Sequence, residues 1–122
     1  MKKLITLFTF IFAITLSVSA QEVKTVSLEQ TKGEFTQKQI TVSEGNYVFH
    51  ISNNDVGTDV GFVLVPAGAD ASDPKNHIKE AYVTKTVATG TTGTSKEVML
   101  KKGEYNYFCP LNKTPQYKLI VE

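Results

Sequence analysis

Cysteine is nearly absent from this 122-residue chain, which has one, Cys109. A single thiol cannot close an internal disulfide. Arginine is missing altogether, and all thirteen basic residues are lysines. They form no basic stripe of the kind that tracks nucleic acid and no block of like charge that would mark a tail. Histidine occurs only as His50 and His77. No Ser-His-Asp arrangement, phosphate-binding glycine loop, paired-carboxylate cleft or zinc-ligand spacing is present, so enzymatic turnover is not expected. Internal repeats and low-complexity tracts are lacking too.

Long apolar runs are confined to the start. Met1-Lys2-Lys3 is basic, Leu4 to Val18 is largely apolar, and Ser17-Val18-Ser19-Ala20 offers small residues at a cleavage point. This is the pattern of a secretory signal peptide, too short and wrongly flanked for a membrane span. Cleavage after Ala20 removes residues 1–20 and leaves one domain, 21–122, periplasmic or secreted. Two of the thirteen lysines leave with it, so lysines then balance the twelve acids to within one. A domain of that size supports one core, and a monomer is expected.

The domain is punctuated every few residues by turn chemistry. Val23, Val26 and Leu28 give a loose strand pattern, and Ile40 and Val42 are spaced by two. Tyr47, Phe49 and Ile51 alternate with Val48, His50 and Ser52, as in a strand with one half-exposed side. Val60 to Val65 is almost wholly apolar and reads as a buried central strand. Ser72-Asp73-Pro74 carries a capping residue and a proline at the first helical position, which predicts one short helix from Pro74 to Ala81. Val83 to Gly93 reads as a loop or ragged edge strand, and Ser95 to Leu100 as another strand. The sum is an all-β chain, an antiparallel Greek-key β-sandwich with one short inserted helix.

The last stretch, Gly103 to Glu122, carries the chemistry. Tyr105, Tyr107 and Cys109 share one strand face, Tyr117, Leu119 and Val121 another, and a loop stiffened by Pro110 and Pro115 joins them. Cys109 can be a buried apolar thiol, a metal ligand or half of an intermolecular bridge. His50 reads as a strand histidine away from this loop. His77 sits on the inserted segment, where nothing in the spacing brings it to the thiol. Tyr105, Tyr107, Phe108 and Tyr117 read as core and edge packing. Asn112-Lys113-Thr114 matches a glycosylation sequon, a coincidence in a chain with this kind of signal peptide.

Gly-x-Tyr-x-Tyr-Phe-Cys at 103–109, a short loop and a terminal strand together resemble the cupredoxin family, the plastocyanin, azurin and amicyanin type of blue copper protein. Glu44-Gly45-Asn46, Asn53-Asn54, Val60-Gly61-Phe62-Val63-Leu64 and Val98 to Tyr105 fit as well, so the resemblance covers most of the domain. From Cys109 to Glu122 the length is that of the short copper loop, Cys-x-x-His-x-x-Met, followed by the last strand, without a gap. What the resemblance implies is a cupredoxin-like Greek-key sandwich and a copper site built on Cys109. The loop histidine falls on Asn112, however, and the methionine on Pro115, or on Tyr117 with a longer loop. The upstream histidine aligns with Thr58, next to Asp59. A type 1 site needs two imidazoles and a thiolate with a weak axial ligand. An amide or hydroxyl oxygen is a poor donor to Cu(I), and proline offers none.

Two functions are therefore expected in competition. One is a non-blue binding or interaction module of the bacterial envelope, with Cys109, Asn112, Thr58 and Asp59 at vestigial copper-site positions and no cofactor. The other is a copper-binding electron carrier. The partner in either case is an envelope or redox protein, with no nucleic acid and no membrane span after signal cleavage.

Overall fold

The structure, a computed structural model, describes residues 22–122. The expected signal peptide, 1–20, lies outside the described residues. Among the described residues, eight strands form two four-stranded sheets. The first holds β1 (Val23–Thr31), β2 (Glu34–Phe35), β4 (Gly45–Asn53) and β6 (Thr92–Leu100) in the order β2-β1-β4-β6. The second holds β3 (Gln39–Val42), β5 (Val63–Pro66), β7 (Gly103–Phe108) and β8 (Tyr117–Val121) in the order β3-β8-β7-β5. The sheets are mixed rather than purely antiparallel. After β2 the chain crosses to the second sheet for β3 and returns for β4, so β1 and β4 lie parallel, as do β3 and β8. The other pairings are antiparallel.

Alternation decides which side chains point inward. Tyr47, Phe49 and Ile51 of β4 are buried and face Leu64, Tyr107, Leu119 and Val121 of the other sheet across one core. Burial of side chains this size contributes roughly 1.5–3 kcal/mol each. Phe35 closes one end of the core, edge-on to Tyr107 at 5.1 Å, Tyr117 at 5.7 Å and Phe62 at 6.1 Å between ring centroids. Tyr107 lies in this core and Tyr105 and Tyr117 pack against it, as their spacing implied, while Phe108 meets the insertion instead, its ring centroid 6.3 Å from that of His77.

The apolar run 60–65 divides. Val60 makes an isolated bridge with Val87, and β5 begins only at Val63. β5 is an edge strand, not a central one, yet Val63, Leu64 and Val65 are all buried. The reason is the insertion that follows: Ile78 N–H donates to Leu64 O at 2.9 Å, docking residues 67–82 along the free edge of β5. With the turn Lys79–Ala81 also packed against β5, Val63 and Val65, which point away from the core, are buried as well as the inward-facing Leu64, and the alternation a half-exposed strand would show is absent.

The expected helix starts where the sequence places it but does not propagate. Asp73 Oδ1 accepts from Lys75 N–H at 3.0 Å, and Pro74 opens a 3-10 turn, Pro74–Asn76. His77 and Ile78 are then extended, and a second 3-10 turn, Lys79–Ala81, follows. One or two turns of helix are marginal on their own, and the Ile78–Leu64 bond takes the amide that a continuing helix would use.

Candidate metal centre

The Cys109 loop is tied by its own backbone. Thr114 N–H donates to Cys109 O at 3.1 Å, Lys113 N–H to Pro110 O at 3.3 Å, and Cys109 N–H to Thr114 Oγ1 at 2.9 Å. Lys113 takes a left-handed φ of 53° to complete this turn. The loop therefore holds its shape with both prolines flanking the turn and Tyr117 anchored on Tyr107, ring centroids 5.6 Å apart.

Cys109 is fully buried. Its Sγ accepts two backbone N–H groups, Gly61 at 3.2 Å and Asn112 at 3.3 Å. Sulfur is a weak acceptor, and two donors converging on it fix the side chain in place. Asn112 is next to the thiol through its backbone, but its side chain turns away, to the β1–β2 corner. Oδ1 accepts from Gly33 N–H at 2.8 Å, while Nδ2 donates to Thr31 O at 2.9 Å and to Gln30 Oε1 at 3.1 Å. Both hydrogens of Nδ2 are thereby engaged.

Cys109 and Asn112 are the two expected site residues that the structure brings together. Thr58 and Asp59 are exposed. The carbonyl of Thr58 accepts from Asn53 Nδ2 at 2.8 Å, and Asp59 Oδ2 accepts from Thr86 Oγ1 at 3.0 Å. From that stretch of chain it is Gly61 that reaches the sulfur. Pro115 is exposed and offers no side-chain donor.

Neither histidine joins them. His50 is half-buried on the outer face of β4, opposite the Phe49 and Ile51 side chains that enter the core with Cys109. His77 is bound within the insertion. Its Nε2 lies 2.8 Å from Ala71 O, so that nitrogen carries the proton, and Nδ1 accepts from Tyr82 Oη at 2.6 Å. Among the described residues no three His, Cys, Asp or Glu side chains cluster as a metal site. One thiol sulfur, an amide already hydrogen-bonded and no imidazole do not fit a His₂Cys copper centre.

Two residues of this site were missed from sequence: Gln30 and Gly61. Gln30 is fully buried, its Nε2 donating to Gly61 O at 2.8 Å. It stands in phase with the inward-facing Val26 and Leu28. A polar residue in an apolar inward series was the available signal, since burial demands a partner for it. Gly61 acts through its backbone, which no side-chain pattern reveals.

Residues 4–121 match the model of a family described as a cupredoxin-like domain. No curated protein matches the sequence. Among solved structures, auracyanin B is 19% identical, with a TM-score of 0.64, the match covering 81% of this chain and 88% of that one. Dithionite-reduced auracyanin from the photosynthetic bacterium Roseiflexus castenholzii is 15% identical at TM-score 0.62, covering 81% of this chain and 97% of its own. Auracyanin A, a "blue" copper protein from the green thermophilic photosynthetic bacterium Chloroflexus aurantiacus, is 19% identical at TM-score 0.58, covering 83% and 100%. Likeness at these identities concerns the fold.

Proposed function

The chain belongs to the cupredoxin-like domain family, and from that premise we propose that it is an exported cupredoxin-fold module that works without copper, by binding a partner in the bacterial envelope. The observation that carries this reading is the state of Asn112, at the position where the family's loop histidine would stand. Its amide is committed to Gln30, Thr31 and Gly33. A metal at Cys109 would find a thiolate and no imidazole, and a type 1 centre draws two of its three strong bonds from imidazole.

Residues 1–20 are a signal peptide and 21–122 the mature domain, periplasmic or secreted and monomeric. No helix among the described residues is long and apolar enough to cross a membrane. The partner is an envelope or redox protein, and the module performs no catalytic turnover of its own. Cys109, Asn112, Thr58 and Asp59 mark vestigial copper-site positions.

A second reading, a copper-binding electron carrier, is favoured by one observation: Cys109 is kept at the strand end with two N–H groups aimed at its sulfur. Titrating the mature protein with Cu(II) separates the two. The copper-free reading expects no intense thiolate-to-copper band near the red end of the visible spectrum. A stoichiometric blue species that is lost in Cys109→Ser would establish the carrier instead.

A further inference from the structure

The contacts around Cys109 form a closed circuit. Gly61 N–H donates to Cys109 Sγ at 3.2 Å, and Gln30 Nε2 donates to Gly61 O at 2.8 Å. Asn112 Nδ2 donates to Gln30 Oε1 at 3.1 Å, and Asn112 N–H returns to Cys109 Sγ at 3.3 Å. The members come from three distant parts of the chain: strand β1, the approach to β5, and the Cys109 loop. Two more bonds, from Gly33 N–H and to Thr31 O, fasten the circuit to the β1–β2 corner.

We infer that this ring of hydrogen bonds has taken the place of a metal centre as the brace of this end of the sandwich, and that it does so as one coupled unit. The inference rests on Asn112 standing at a vacated ligand position, and it goes further, to what now occupies the position and why. Asn112 serves one donor, Gly33 N–H, and two acceptors, Thr31 O and Gln30 Oε1. A primary amide supplies one acceptor and two hydrogens, which matches all three. A neutral imidazole supplies one donor and one acceptor, so a histidine at 112 would strand at least one partner, and stranding Gln30 Oε1 would leave a polar atom of a fully buried residue unsatisfied. Gln30 is bound by the same logic, donating to Gly61 and accepting from Asn112. Ligand chemistry and brace chemistry at position 112 thus exclude each other.

Coupling is testable because Gln30 has no direct bond to Gly33 and none to Cys109. In metal-free mature protein, Gln30→Ala is expected to accelerate amide exchange at Gly33 and alkylation of Cys109 by about tenfold, each relative to the amide of Leu119 in β8 as a reference for global opening. Rates at Gly33 and Cys109 that stay unchanged, or that rise only in step with Leu119, would overturn the coupled ring. Should Gln30→Ala not fold, Gln30→Glu is read in the same way. It keeps the acceptor toward Asn112 and loses the donor toward Gly61. No copper enters this experiment, so it fails independently of the functional reading. A blue species in the copper titration alongside a coupled response here would sink the copper-free function alone.

Discussion

Asn112→Ala removes three side-chain hydrogen bonds, and the burial of each partner sets the cost. Gly33 is exposed, so its N–H can turn to water. Thr31 is half-buried and its carbonyl is partly rescued. Net losses there are about 0.5–1 kcal/mol each. Gln30 is fully buried, so its Oε1 is left without a donor or water, at about 1–3 kcal/mol. The expected destabilisation is about 3 kcal/mol. For a chain of this size the urea dependence lies toward the low end of about 1–3 kcal/mol per M, so the unfolding midpoint should fall by about 2 M. Urea unfolding followed by far-UV circular dichroism measures this. Thr58→Ala is the control: Thr58 is exposed and its carbonyl, which alanine keeps, accepts from Asn53 Nδ2, so the change should stay within about 0.5 kcal/mol. A midpoint shift in Asn112→Ala no larger than that of the control would refute the argument that this amide is a structural brace.

Gly93→Ala should destabilise by about 1–3 kcal/mol through overpacking. An added Cβ would lie 2.6 Å from Val87 Cγ2, and Val87 is held by paired backbone bonds to Val60 and by Asn53 Nδ2 on its carbonyl. A thermal melt unchanged from wild type would show that the Val60–Val87 bridge yields easily. Tyr107, whose hydroxyl donates to Gln37 O at 2.6 Å, has its pKa raised from 10.0 to about 12, first by burial and then by Tyr117. The neutral form is the one favoured by folding. The resulting stability is intact below pH 10, the unfolded value, and is lost as pH rises through about 12. Tyr107→Phe should remove the last-ionising phenol from a spectrophotometric titration. If the last phenol to ionise persists in that variant, the assignment fails.

Much of the fold was legible because strand faces follow period two. Tyr47, Phe49 and Ile51, or Tyr107 and, just past the strand end, Cys109, point inward once β4 and β7 form. What periodicity could not convey was pairing. The parallel placement of β1 beside β4 depends on where the chain crosses between sheets, and β5 reads like a central strand because a loop covers its edge. The helix expected at Pro74 had a correct start, and its end was decided by Leu64, a residue ten positions earlier in another element. At the site, Cys109 and Asn112 were visible as a thiol and a substituted position. Their partners were hidden for separate reasons: Gln30 looked like one more strand residue, and Gly61 contributes only its peptide group.

The central claim is that sulfur and amide at this end are held by hydrogen bonds that a metal would have to displace. Amide NMR of the mature protein during titration with Cu(I), which is diamagnetic, tests it at the atoms concerned. The Gly61 and Asn112 backbone N–H signals and the Asn112 side-chain NH₂ pair should hold their positions through one equivalent. Stoichiometric, saturable shifts of these signals, absent in Cys109→Ser, would contradict it.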